Sequence, residues 1–168
     1  MRLKTSILFV LMSGLFSALA FSASTEIHQH KSIEIQSDTP IPKIELTAFR
    51  DSMDGVNIHI EVANYVLNAP DTAIDTLTTK NGYLNGHAHV FVNGTKRQRL
   101  YGNDIHIPNS WLQHGVNQVA ISLNSHQHDN WTKNKQNIVG SIFFDLEKDE
   151  LVLHNFTSQP IENKHAHH

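Results

Sequence analysis

Histidine is the residue type through which this chain could do chemistry. There are 13 in 168 residues, and they recur in close pairs: His28 with His30, His87 with His89, His126 with His128, and a tail reading Lys164-His165-Ala166-His167-His168. Neutral imidazole is the commonest protein ligand for copper and zinc, and histidine-rich tracts read as metal binding on composition alone. The central pair lies in Gly86-His87-Ala88-His89-Val90-Phe91-Val92-Asn93-Gly94. Side chains of a β-strand alternate between faces, so Ala88, Val90 and Val92 are expected to point inward while His87 and His89 point outward together. The same parity sets His59 and His106 opposite aliphatic residues. Continued past Val119, Ile121 and Leu123, it puts Asn124, His126 and His128 on the non-core side. The expected metal site is therefore His87, His89 and His126, gathered with His106 and His59 on one exterior patch. His128 is a further ligand or a partner behind the ligands, and Met53, in a turn, offers a thioether suited to Cu(I).

The ion expected is copper, with zinc as the alternative. Imidazole suits both, but zinc more often recruits a carboxylate or thiolate to close its tetrahedron. The chain has no cysteine, which excludes thiolate sites, CxxC redox chemistry, c-type haem and blue-copper electron transfer. Imidazole binds a metal only when neutral, so affinity is expected to fall below about pH 6. No nucleophile elbow, P-loop or HExxH occurs, and the leading expectation is a carrier or buffer without enzymatic activity. Two alternatives remain open. One is a non-metal interaction module that presents a His and Arg face to a partner or an anionic glycan. The other is a metal-dependent hydrolase on His87, His89 and His126, with Asp104, Asp129 or Glu61 as base.

Such a site needs strands to position it, and strands are what the pattern supplies. Ile44, Leu46 and Ala48 alternate with polar residues, as do Val56, Ile58, Ile60 and Val62, with Ser52-Met53-Asp54-Gly55 as the turn between them. Residues 63–85 form the long connection, around the turn signals Asn68-Ala69-Pro70-Asp71 and Lys80-Asn81-Gly82. Asn93-Gly94 is a strong hairpin signal. Burying two arginines unpaired is costly, so a three-residue loop with a bulge is predicted, setting Arg97 and Arg99 beside His87 and His89. Ile105 and Ile107 flank His106. Residues 138–146 are apolar on both parities and read as a central strand, and 151–153 as a last edge strand. Short strands with frequent turns and no amphipathic helix predict an all-β protein, an antiparallel β-sandwich of immunoglobulin-like or cupredoxin-like outline.

The ends read differently from the middle. Arg2 and Lys4 precede the apolar run Ile7-Leu8-Phe9-Val10-Leu11-Met12, and Ala18-Leu19-Ala20 fits a cleavage site, so 1–20 is expected to be a signal peptide. A polar leader, 21–43, would end as an edge strand near Ile33 and Ile35. The sandwich would cover 44–154, and 155–168 would be a His-containing tail. The expected location is periplasmic or secreted, with no membrane span once the signal is removed. With 13 Lys and Arg against 16 Asp and Glu and no basic block, nucleic acid is excluded as a partner. The partners expected are the metal ion and a periplasmic protein that exchanges it.

The run from Gly86 to Lys96, followed by Arg99-Leu100-Tyr101-Gly102, Ile105-His106-Ile107 and Ser122-Leu123-Asn124-Ser125-His126, resembles a set of small exported bacterial proteins marked by GHxHxxxNGxKxxRxYG. The similarity runs from about Ser52 to Phe144 and implies an exported β-sandwich. At the level of fold alone the chain is also similar to periplasmic copper-binding carriers, which place His and Met ligands on small β-sandwiches.

Overall fold

The computed structural model describes residues 31–70 and 82–158. The elements are β1 (Ser32–Glu34), β2 (Lys43–Arg50), β3 (Val56–Ala63), β4 (Tyr65–Leu67), β5 (Leu84–Val92), β6 (Thr95–Leu100), β7 (Asp104–Ile107), a 3-10 turn at Asn109–Trp111, β8 (Val116–Asn124), β9 (Asn130–Lys133), β10 (Gln136–Asn137), β11 (Val139–Asp145) and β12 (Val152–Ser158). The expected signal peptide, the leader up to His30 with His28, and residues 159–168 of the expected tail with the terminal histidines lie outside the described residues.

Two sheets form because the aliphatic residues recur at period two. In β2, Ile44, Leu46 and Ala48 are buried while their neighbours are exposed, and β3 repeats the pattern with Val56, Ile58 and Ile60. These strands and β7 make a three-stranded antiparallel sheet in the order β2-β3-β7. The larger sheet centres on β8. One edge of β8 pairs with β5, from His87 opposite Asn124 to Val92 opposite Val119. The other pairs with β11, which carries β12 on its far side. Beyond β5 lie antiparallel β6 and parallel β4. The strand β9 pairs with β8 at Asn124 and takes β1 alongside in parallel.

The sheets meet through Val90, Val92, Val119, Ile121, Leu123, Ile142 and Phe144 on one side and the aliphatics of β2, β3 and β7 on the other. Full burial of such a side chain contributes about 1.5–3 kcal/mol, which is how a domain without disulfides is held. This is the predicted β-sandwich, with two short parallel pairs at its margins. Among the described residues no helix is long and apolar enough to cross a membrane.

Three local expectations change. The last strand does not stop at 153 but runs to Ser158, because Asn155 and Thr157, polar in sequence, donate to the Leu46 and Ile44 carbonyls at the open edge of β2 (2.7 and 3.2 Å). The edge strand of the leader is real, but it pairs in parallel with β9. The hairpin closes with a two-residue loop: Asn93 and Gly94 both take positive φ (50° and 77°), and Val92 faces Thr95. The extra residue is placed inside β6 instead, where Gln98 faces Val90 and Lys96 faces Phe91, leaving Arg97 without an opposite number. Either device shifts β6 by one residue and sets Arg99 opposite His89. Arg97 does not join it there; its guanidinium lies over Trp111, 5.4 Å from the ring centre.

Candidate metal centre

With Ala88, Val90 and Val92 fixed in the core, His87 and His89 must face outward from the large sheet. Yet each is only 1% exposed. The covering begins on β8, where Asn124 lies opposite His87 and Ser122 opposite His89. Both are buried and satisfied: Ser122 Oγ donates to Asn124 Oδ1 (2.8 Å), and Asn124 Nδ2 donates to Asn130 Oδ1 (2.6 Å). The loop from β8 to β9 then folds over the rings. Ser125 N donates to Asp129 O (2.9 Å), His128 N to Ser125 O (2.9 Å), and Asp129 N to Ser125 Oγ (3.1 Å). So tight a reversal needs one residue in the left-handed region, and His128 takes it with φ 73°. Histidine is among the few residue types enriched there.

The consequence is a compact group of rings. Centroids of His87 and His89 are 4.7 Å apart, and His128 lies 4.8 Å from the first and 5.6 Å from the second. Nε2 of His87 is 2.9 Å from Nε2 of His89, and Nδ1 of His128 is 3.4 Å from the same atom. One nitrogen from each of the three lies within 4.8 Å of the others. Two nitrogens at about 2.0–2.1 Å from a tetrahedral ion stand about 3.3–3.4 Å apart, so these three need little movement to share one ion. The same 2.9 Å contact also suits an N–H···N hydrogen bond between neutral imidazoles.

Cations surround the group. Nζ of Lys96 is 3.2 Å from Nε2 of His89, and Arg99 is paired opposite His89. Burial, then the fields of His128, Arg99, His126 and Lys96, push the His87 imidazole down to about 3. Burial also lowers His126, and burial followed by Arg99 lowers Lys96. The expected loss of affinity below pH 6 therefore does not come from His87, which stays neutral and ready to bind well below that point.

This displaced titration predicts a pH dependence of stability in chelator-treated protein. The unfolded chain takes up a proton on His87 near 6.5, whereas the folded chain refuses it until about 3. Unfolding thus takes up a proton across that window, and stability, complete above about pH 6.5, declines as pH falls toward 3. Urea midpoints measured between pH 7 and 4 are expected to fall, with a shallower slope in His87→Asn. Equal slopes in both proteins would contradict it.

Of the seven predicted ligands, the structure brings together His87, His89 and His128. His126 is the near miss. Its ring stacks on His87 at 6.0 Å, its two nitrogens are enclosed without hydrogen-bond partners, and it lies outside the set of mutually close donors. Alternation was carried past Asn124, where β8 ends; the turn breaks the period, and the left-handed residue re-aims its ring.

His59, His106 and Met53 are not brought there. His59 Nδ1 donates to Asp104 Oδ1 (2.7 Å), and His106 Nδ1 donates to Asn57 Oδ1 (2.9 Å), with Asp54 Oδ2 3.7 Å from Nε2. Both face away from the core on the smaller sheet. Met53 is 91% exposed in the β2 to β3 turn. A sandwich has two outer faces, and parity within a strand does not say which of them a residue occupies. The residues not anticipated as neighbours of the site are Lys96, Ser122, Asn124 and Tyr101, whose ring is 5.7 Å from His87. Both Lys96 and Tyr101 stand in the GHxHxxxNGxKxxRxYG pattern, but setting them beside the rings needed the bulge for the first and the end of β6 for the second. No protein-family model, no curated protein and no solved structure matches this chain.

Proposed function

We propose that the chain is an exported transition-metal-binding protein, a copper carrier or buffer of the bacterial periplasm, with zinc as the alternative cargo. The observation that carries this reading is the convergence of three imidazole nitrogens within 4.8 Å, from the buried rings of His87 and His89 and the half-buried ring of His128. Burying polar rings is unfavourable unless their nitrogens are used, and a shared ion uses all three at once. The donor chemistry favours copper: imidazole alone, no thiolate, no carboxylate in the set, with divalent affinity highest at Cu(II) along the first-row series. The N-terminal segment with Arg2, Lys4 and Ala18-Leu19-Ala20 supports export, and the GHxHxxxNGxKxxRxYG pattern supports kinship with small exported bacterial proteins. In that pattern the two histidines and the lysine are site residues, and the arginine is the one opposite His89.

The test is stoichiometry. Full-length protein dialysed against copper and, separately, zinc is expected to retain one more ion per chain than the His87→Ala plus His89→Ala variant, with circular dichroism confirming that both are folded. Equal metal content in the two would place binding on the terminal histidines and remove the central site.

A further inference from the structure

The charges around the imidazoles are wrong for a site meant to hold only a cation. Three neutral rings leave a divalent ion its full charge, and no carboxylate belongs to the donor set. Instead Lys96 Nζ approaches to 3.2 Å from the nitrogen of His89 that faces the other two rings. Arg99 sits opposite the same residue, near enough for its field to act on both His87 and Lys96. An ammonium beside a divalent ion is repelled by it, and each of the two attracts an anion, the more so at the buried end of the site where water is scarce. One negative ligand between them turns the repulsion into two attractions.

We infer that the metal held by His87, His89 and His128 takes a small anion as its fourth ligand, received by Lys96 and Arg99. This rests on the metal-binding reading. Three protein ligands leave a four-coordinate ion, tetrahedral zinc or square-planar Cu(II), one position for an exogenous group. The approach from β6 is open, since Lys96 and Arg99 are exposed, whereas His87 and His89 are closed over by the 125–129 loop and the rings of His126, His128 and Tyr101. With His87 and His89 only 1% exposed, the anion that suits the site is a small one, such as a halide, azide or formate. The bulge at Arg97 belongs to the same device, because it brings Lys96 opposite Phe91, on the histidine face of β5.

Full-length protein loaded with Cu(II) and titrated with sodium azide at low ionic strength reads this directly, through the azide-to-copper charge-transfer absorption. A saturable band is expected. Its dissociation constant rises about tenfold in Lys96→Met and also rises in Arg99→Gln, while Cu(II) affinity in Lys96→Met increases because a repelling charge is gone. Azide affinity equal in all three proteins, no band with one copper bound at the centre, or a band of undiminished strength in His87→Ala plus His89→Ala, where any copper sits elsewhere, would overturn the inference and leave the metal reading standing. Copper content no higher than in His87→Ala plus His89→Ala overturns both.

Discussion

A His128→Gly variant is expected to bind its metal at least about 100-fold more weakly than the parent chain, while its stability stays within about 1 kcal/mol. The two halves of this result have separate causes. Removing a partner behind a ligand already costs about 10–100-fold in affinity, so removing one of three ligands reaches or passes the top of that range. Stability is spared because His128 is left-handed, with φ 73°. A non-glycine residue there costs about 1–2 kcal/mol, which glycine avoids, and this offsets the entropy glycine adds to the unfolded chain and the loss of ring packing. Competition with a chromophoric chelator measures the affinity, and urea unfolding of the metal-free chain measures the stability. His126→Ala serves as the comparison. Its nitrogens lie outside the donor set and its ring only packs on His87, so its loss is expected to stay below about tenfold. The reverse order of the two effects would make His126 the ligand.

Gly86→Ala is expected to destabilise the fold by about 3 kcal/mol or more and to abolish the site with it. A Cβ at this position would fall on the Asn124 carbonyl oxygen, 2.5 Å from Tyr65 Oη and 3.0 Å from the Asn124 carbonyl carbon. Two of those three obstacles are backbone and cannot rotate away. The Tyr65 hydroxyl is itself committed: it donates to Asn124 O (2.8 Å), with His87 O at 3.2 Å. Relief therefore requires β5 to part from β8 where His87 faces Asn124, which moves the first ligand directly. Gly94→Ala is the control. Nothing lies within 4 Å of its Cβ, so only the positive φ of 77° is penalised, about 1–2 kcal/mol. Midpoint and slope of urea unfolding for the two variants check this, and equal losses would show that crowding at Gly86 is relieved locally.

These two residues mark the division between what could be read from the chain and what could not. Period two along Ile44 to Ala48, Val56 to Ile60, Ala88 to Val92 and Val119 to Leu123 was enough to predict a sandwich. It also set the outward direction of His87 and His89, because strand side chains alternate whatever the rest of the chain does. Composition excluded thiolate chemistry outright. The third ligand was beyond such reasoning. Alternation holds only while a strand lasts, and β8 ends at Asn124, so the choice between His126 and His128 fell to a turn whose hydrogen bonds force one residue left-handed. Tertiary structure also decided that His59, His106 and Met53 belong elsewhere and that His87 and His89 are enclosed. A local pattern reports a residue's side of its own strand; which sheet that strand joins, and what folds over it, depends on contacts between residues far apart in sequence.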